Sequence, residues 1–249
     1  MGVLACEDFP RAALAVAWKE DFLDDNGIAN FTVTQNDGTG TGSGAASATN
    51  DGHPGIHTLT TNSLSGADGE WHQIQGNVEW VKLGLGRTVR FVCRCKIDDA
   101  TQSYWFAGLC ITDTGIIGIA SGPTNNFATD FIGFYKTDGS TTVQFANGKN
   151  QTDWTNTNGV ASIATMTTGW NEWAFEVVMD TLTAGKGTIR AWLNGQPLIL
   201  GTSVEPLVST AICEDEDLTP TVAIANGNTS QRTLDIDCIE VRVTREASS

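Results

Sequence analysis

Positive charge is scarce in this sequence. Its 249 residues include 14 lysines and arginines against 29 aspartates and glutamates, which gives a formal net charge of −15 at pH 7. A protein that follows nucleic-acid phosphates needs clustered basic side chains, and this sequence has no such cluster. The field of so acidic a chain repels anionic polymers, so the composition argues against a nucleic-acid partner.

Long apolar runs are also missing. The apolar stretch at residues 11–18 is bounded by acidic residues before it and by Lys19, Glu20 and Asp21 after it. It is too short to span a bilayer, and the start of the chain lacks the basic region and cleavage site of a signal peptide. We therefore expect no membrane contact. We also expect the chain to stay in the cytoplasm where it is made, or to leave by lysis or inside a particle.

Residue patterns that carry catalysis are few. Histidine occurs only at His53, His57 and His72. The nucleophile elbow G-x-S-x-G, the P-loop and the dinucleotide-binding glycine pattern before a helix are all absent. The glycine-rich stretch at residues 36–52 is typical of a long loop. The sequence therefore predicts no catalytic set, no cofactor and no metal site.

The six cysteines do not form a metal-binding pattern. Cys93 and Cys95 are separated by one residue, but no second pair of cysteines or histidines follows at zinc-finger spacing. Disulfides are rare in proteins made without secretion, and buried free cysteines behave as small apolar side chains. We expect free thiols at these positions: Cys6, Cys93, Cys95, Cys110, Cys213 and Cys238.

Turn residues divide most of the sequence into short segments of alternating polarity. The clearest is Thr88–Ile97, in which every second residue from Val89 onward is apolar or cysteine. Period-two alternation of this kind is typical of a half-buried strand. In the segment 233–244 the phase shifts near Cys238, which predicts either a β-bulge or burial on both faces.

Further strands are predicted at eleven more segments: 29–34, 56–61, 70–75, 103–111, 130–136, 141–146, 171–181, 187–193, 197–200, 220–225 and 233–244. A dozen short strands without a convincing long helix predict an all-β fold, an antiparallel two-sheet jelly-roll sandwich. We expect one domain over residues 21–249. Residues 1–20 do not have a strand pattern, and we expect them to form a short N-terminal arm that docks on a partner or on the domain itself.

The order of several motifs resembles a known family. The motifs are Asp21-Phe22, Asp51–Leu59, Tyr104–Leu109, Ile132–Phe134, Trp173–Val177, Ile189–Gly195 and Leu234–Val241. Over roughly residues 21–245 the chain resembles the concanavalin A-like (LamG/jelly-roll) domains common in virion proteins of tailed bacteriophages. Members of that family include capsid decoration or cement proteins, domains of head or tail fibres, and carbohydrate-binding modules.

The resemblance implies a virion structural protein rather than an enzyme. We expect a capsid decoration or cement protein that binds the outside of the shell and stabilises it. Its partners would be the major capsid protein and copies of itself in a homo-oligomer. A phage protein assembles in the host cytoplasm and leaves by lysis, which agrees with the missing signal peptide.

Recognition of a host-surface glycan by a fibre domain is the alternative function. Trp154 lies in a polar segment, where it could stack on a sugar ring while Asp153 and Asn156 bind hydroxyl groups. Trp192 is a second candidate, because alternation places it opposite Ile189, Ala191 and Leu193. Exposed tryptophans are also enriched at protein interfaces, so these residues do not separate a sugar ligand from a protein partner.

An acidic strand offers a third function, glycoside hydrolysis. Asp235 and Asp237 share a face by alternation, and Glu240 follows. Retaining hydrolases need two carboxylates about 5–5.5 Å apart. Jelly-roll hydrolases that the motif resembles carry such a strand in mid-chain with glutamates at both ends, whereas this one is terminal and begins with aspartate. We expect its acids to face solvent.

The acidic run Glu214–Asp217 could supply oxygen ligands to Ca²⁺. Consecutive acids have no defined ligand geometry, so we expect a solvated charge run.

Overall fold

The computed structural model describes residues 14–22, 30–36, 55–61, 70–112, 130–149, 160–200, 206–228 and 230–245. Within these ranges fifteen β-strands, numbered here in chain order, form two antiparallel sheets, and no α-helix occurs. The predicted all-β, two-sheet architecture is confirmed. A helix long and apolar enough to cross a membrane is absent from the same ranges.

The first sheet has eight strands. They are β1 (Leu14–Glu20), β3 (His57–Thr60), β5 (Arg87–Ile97), β10 (Asn171–Met179), β11 (Gly187–Leu193), β12 (Gln196–Pro197), β13 (Leu207–Ser209) and β15 (Thr233–Arg245). Their order is β1-β15-β5-β10-β11-β12, with β3 also paired to β15 and β13 to β11. Strands that are far apart in the sequence, such as β5 and β15, are therefore neighbours at the centre of this sheet.

The second sheet has seven strands. They are β2 (Phe31–Asn36), β4 (Trp71–Gly76), β6 (Ser103–Cys110), β7 (Phe131–Lys136), β8 (Thr142–Gly148), β9 (Val160–Thr165) and β14 (Thr219–Asn226). Their order is β2-β4-β14-β6-β7-β8-β9. Consecutive strands β6 to β9 form a meander, and β14 joins that meander to β4 and β2.

The start of the described chain differs from the prediction. Leu14–Glu20 is strand β1 rather than part of an arm, and it pairs antiparallel with β15 from Leu14 opposite Thr244 to Glu20 opposite Ile239. The indole of Trp18 packs edge-on against Phe31 at a centroid distance of 5.3 Å. Pairing with a partner more than 200 residues away gives this segment its structure. Residues 1–13 lie outside the described residues.

The predicted irregularity near Cys238 is a β-bulge. Ile236 pairs with Cys95 and Cys238 pairs with Arg94, so Asp237 is an extra residue on β15. Inward-facing positions change accordingly from Leu234 and Ile236 before the bulge to Ile239, Val241 and Val243 after it. The bulge lets one long strand keep a buried face although its sequence changes phase.

The core between the two sheets is rich in aromatic side chains. Trp105 of one sheet meets Trp173 of the other at 5.4 Å between ring centroids, and Phe134 meets Trp173 at 5.3 Å. Cys93 and Cys95 point into this core, as the alternation predicted, and are 0% and 1% exposed. Both are free thiols. Cys110 and Cys213 are also free and buried, Cys238 is free and partly buried, and Cys6 lies outside the described residues.

His57 is buried at the edge of this core. Its ring stacks on Phe22 with centroids 5.4 Å apart, it is 3% exposed, and its Nε2 atom has no hydrogen-bond partner. Burial lowers the pKa of His57 from 6.5 to about 4, because a charged imidazolium would be taken out of water without compensation.

This histidine makes stability depend on pH. The unfolded chain binds a proton at His57 near pH 6.5, whereas the folded chain does so only near pH 4. This group therefore does not oppose folding above pH 6.5. As the pH falls from 6.5 to 4, it lowers the free energy of unfolding by on the order of 3 kcal/mol. Urea unfolding of the wild type and of His57→Gln, each at pH 7 and pH 4.5, measures the difference. The wild type should lose more stability than the variant, and identical pH dependence would contradict the assignment.

Candidate functional site

The eight-stranded sheet presents a strongly charged outer face, the side turned away from the core. The alternation of β5 produces it, since Phe91, Cys93 and Cys95 are buried while Arg94 and Lys96 project outward. We call this surface the charged face, and its residues are Arg90, Arg94, Lys96, Glu172, Glu176, Arg190, Trp192, Asp235, Asp237, Glu240 and Arg242. Together with Lys19, which is opposite Glu240 on β1, these residues place six of the chain's 14 cationic side chains on one side of the fold.

The acidic residues of β15 lie on the charged face, each beside a cation. The Nζ atom of Lys96 is 3.0 Å from Asp235 Oδ2, and the hydroxyl of Thr58 donates to Asp235 Oδ1 at 2.8 Å. Arg94 donates to Asp237 from the neighbouring strand. Asp235 and Asp237 therefore share a face, as predicted, but both serve as acceptors in cross-strand ion pairs.

Glu240 follows the same pattern further along β15. Arg242, two residues later on the strand, donates to its carboxylate, and Glu240 is only 7% exposed. On the neighbouring strand pair, Arg190 lies 3.6 Å from Glu176. Chemically, this arrangement is a ladder of charge-assisted contacts that ties the strands of the sheet together.

Trp192 lies on the charged face, opposite the buried Ile189 and Ala191 as predicted. The guanidinium carbon of Arg90 is 5.8 Å from the centre of its ring. A cation–π contact of this kind attracts the guanidinium group to the face of the indole. The other sugar-binding candidates, Trp154, Asp153 and Asn156, lie outside the described residues.

Trp170 belongs to the same surface and was not predicted from sequence. Arg94 and Lys96 lie 5.0 Å and 5.7 Å from the centre of its ring. It immediately precedes β10 and has the same parity as Glu172 and Ala174, which project from the outer face of that strand. Extending the period-two pattern of β10 by one step would have identified it.

The acidic run after Cys213 is also held by lysines. Glu214 and Asp215 lie 2.7 Å and 3.4 Å from the Nζ atom of Lys149, and Asp217 lies 3.5 Å from Lys82. Groups of three or more residues suited to a metal ion are absent from the part of the chain that the structure describes. Three of the four acids of the run are thus engaged in ion pairs with lysines.

A buried lysine lies at the end of β7. Lys136 is 2% exposed, and its ammonium group donates to the carbonyl oxygens of Ser103, Thr137 and Ser140. Burial lowers its pKa to about 8. A lysine with a lowered pKa can act as a nucleophile. Here three carbonyl acceptors hold Lys136 in place, so that it links the turn between β7 and β8 to β6.

The outer face of the seven-stranded sheet carries aromatic and amide side chains. Trp71 and Tyr135 are 7% and 6% exposed on this face. Gln75 accepts a hydrogen bond from Gln73 at 3.0 Å and donates one to the Thr221 hydroxyl at 3.1 Å. These side chains are nearly buried, whereas those of Arg94 and Lys96 on the charged face are 43% and 41% exposed.

Comparisons with known proteins identify the fold. No protein-family model matches the sequence, and a search of curated proteins finds no significant match. Among solved structures, a peanut lectin complex has a TM-score of 0.55 at 10% identity over 94% of this chain and 99% of the lectin. A glycoside hydrolase family protein from Mycobacterium thermorestibile has a TM-score of 0.51 at 14% identity over 90% and 99%.

A protein of unknown function from Shewanella oneidensis MR-1 is also similar, with a TM-score of 0.54 at 12% identity over 97% of this chain and 91% of that protein. The chain has the concanavalin A-like jelly-roll sandwich fold, as predicted. At these identities the likeness shows the fold alone. Because a lectin and a hydrolase share it, the fold does not assign a function.

The contact between Lys96 and Asp235 makes a quantitative prediction. Both side chains are partly solvated, at 41% and 22% exposure, and such pairs contribute about 0.2–1 kcal/mol. A double-mutant cycle with Lys96→Met and Asp235→Asn, followed by urea unfolding, should give a coupling energy of that size that shrinks in high salt. A coupling energy near zero would show that the ladder does not stabilise the sheet.

Proposed function

We propose that this chain is a non-catalytic structural module of a virion that decorates the outside of the capsid shell. Its partners are the major capsid protein and further copies of itself, and its role is to stabilise the assembled shell. The proposal follows from the resemblance of its motifs to phage jelly-roll domains, combined with the arrangement of the charged face.

The state of the acidic strand is the observation that carries the proposal. A retaining glycoside hydrolase needs one carboxylate that attacks the sugar and another that delivers a proton. Here the carboxylates of Asp235 and Asp237 accept hydrogen bonds from Lys96 and Arg94 across the strand pair. These ion pairs favour a structural role for the strand over a catalytic one.

Charge and fold support a place on the outer surface. With a net charge of −15, the chain is repelled by packaged nucleic acid and is kept soluble when many copies are displayed together. Ion pairs on the charged face and aromatic side chains in the core hold the strands of the sandwich together. We expect the module to be rigid for this reason. Rigidity suits a protein that must cover a repeating lattice in one orientation.

Addition of the purified chain to shells that lack it tests the proposal. We expect saturable cosedimentation, with a fixed ratio of chain to major capsid protein and a raised melting temperature of the shell, because a ligand of the assembled state stabilises it. Shells that already carry the chain are the control and should take up no more. Failure to bind undecorated shells would contradict the proposal.

A further inference from the structure

Charge on the outer side of the eight-stranded sheet is sorted by strand. The outward side chains of β5 include Arg90, Arg94 and Lys96 and no acid. Those of its neighbour β10 include Glu172 and Glu176 and no cation. In the strand register Arg94 is opposite Glu172, and Arg90 is opposite Glu176. We call the first set the basic column and the second set the acidic column, and together they form the centre of the charged face.

The two columns are complementary to a second copy of themselves. An isologous contact uses the same patch on both copies, related by a twofold axis. When two such sheets stack face to face about an axis that runs parallel to the strands, midway between β5 and β10, β5 of each copy lies over β10 of the other. The basic column of each copy thus meets the acidic column of the other. Stacked sheets with nearly aligned strands are a common packing geometry.

The flanking strands continue this complementarity. Strand β15 presents three carboxylates, those of Asp235, Asp237 and Glu240, and one guanidinium, that of Arg242. The same axis places β15 over β11 of the other copy, whose charged outward side chain is that of Arg190, 52% exposed. An excess of negative charge on β15 therefore faces a positive charge on β11.

Small side chains between the charged rows permit close approach. Val92 and Ala174, opposite each other in the register, are 9% and 3% exposed. Longer side chains project around them. The side chain of Arg94 is 43% exposed, and Glu172 is exposed and makes no ion pair with another residue that the structure describes. A guanidinium group from a second copy fits beside this carboxylate.

The charge balance of the chain favours this face over its other surfaces as the contact between copies. The charged face has five cations and five carboxylates, so its net charge is zero and the rest of the chain carries the whole −15. Two copies therefore repel each other at their remaining surfaces. Complementary charges at an interface steer the partners together and set their register, and the two columns provide such charges.

The area of the face is sufficient for a dimer. The sheet from β1 to β11 spans five strands in the order β1-β15-β5-β10-β11. At about 4.8 Å between strands and about 3.4 Å per residue over about seven residues, its face covers roughly 600 Å² per copy. A total of about 1,200 Å² is at the lower end of the range for stable protein–protein interfaces. We expect a contact of this size, made by charge pairs, to be reversible and to weaken in salt.

We propose that the charged face is the contact between two copies of this chain, with the basic column of each copy paired to the acidic column of the other. The inference deepens the proposed function and rests on it only for the presence of further copies as partners. It assigns the surface at which copies meet and the symmetry of their contact, neither of which follows from shell decoration.

Charge exchange between two variants tests the pairing. In a dimer of Glu172→Arg, two guanidinium groups oppose each other at each contact, and in a dimer of Arg94→Glu two carboxylates do so. Because opposed like charges are costly at an interface, each variant should dimerise about tenfold or more weakly than the wild type in sedimentation equilibrium of the purified chain. An equimolar mixture of the two variants should regain about the wild-type affinity as a heterodimer, since each opposed pair is then one arginine and one glutamate.

Salt dependence and two control variants complete the test. Dimerisation of the wild type should weaken about tenfold or more between about 0.02 M and about 0.5 M NaCl, because charge pairs are screened. Lys82→Glu and Glu216→Arg change the net charge as the two test variants do, but at sites outside the charged face. Lys82 is 41% exposed, which matches Arg94 at 43%. Both control variants should dimerise nearly as the wild type does.

Circular dichroism and thermal melting of every variant separate a lost contact from lost folding. A folded wild type that stays monomeric at low salt, dimers that persist in both test variants, or a mixture that does not associate would each overturn the proposal. A monomeric wild type whose shell binding is lost on Glu172→Arg would overturn it too, and would assign the face to the capsid protein. Because dimerisation is measured without shells, its failure is distinguishable from failure of the decoration role.

Discussion

The pairing of β5 with its two neighbours is the constraint on which the rest of the structure depends. All eleven of its residues pair with β15 on one side, and Thr88–Cys95 pair with β10 on the other. Period-two alternation therefore fixes two surfaces at once: Phe91, Cys93 and Cys95 enter the core, and the intervening basic residues enter the charged face. A one-residue slip of this register would exchange the two sets, so the core and the ion-pair ladder specify the same alignment.

The acids of β15 have structural partners on the charged face. Acids on β15 lie next to cations on β5 because the strands are antiparallel neighbours, and the bulge at Asp237 keeps that residue on the outer side although the strand changes phase. Solvated ion pairs contribute little individually. Their combined effect is to order long side chains, including those that contact Trp170 and Trp192, into a defined surface.

Local pattern was enough to predict much of this architecture. The alternation of Thr88–Ile97, the phase change near Cys238 and the outward direction of Trp192 all follow from period-two geometry, which is a property of neighbouring residues. Strands β9 and β13 were not predicted; each is short and pairs with a single strand, β8 and β11 respectively. Strand β1 was not predicted because its structure comes from pairing with β15, more than 200 residues away. For the same reason the partners of Asp235 and Asp237 could not be read from sequence, since they lie about 140 residues away. Trp170 was missed because it precedes its strand and its contacts are made by β5.

Electron microscopy of the proposed virion, with the copy number and position of the chain, tests the central claim most directly. The account predicts many copies arrayed over an icosahedral shell, each oriented in the same way on the major capsid protein. A few copies at the tip of a tail or head fibre, or a chain absent from the particle altogether, would contradict a decorating role.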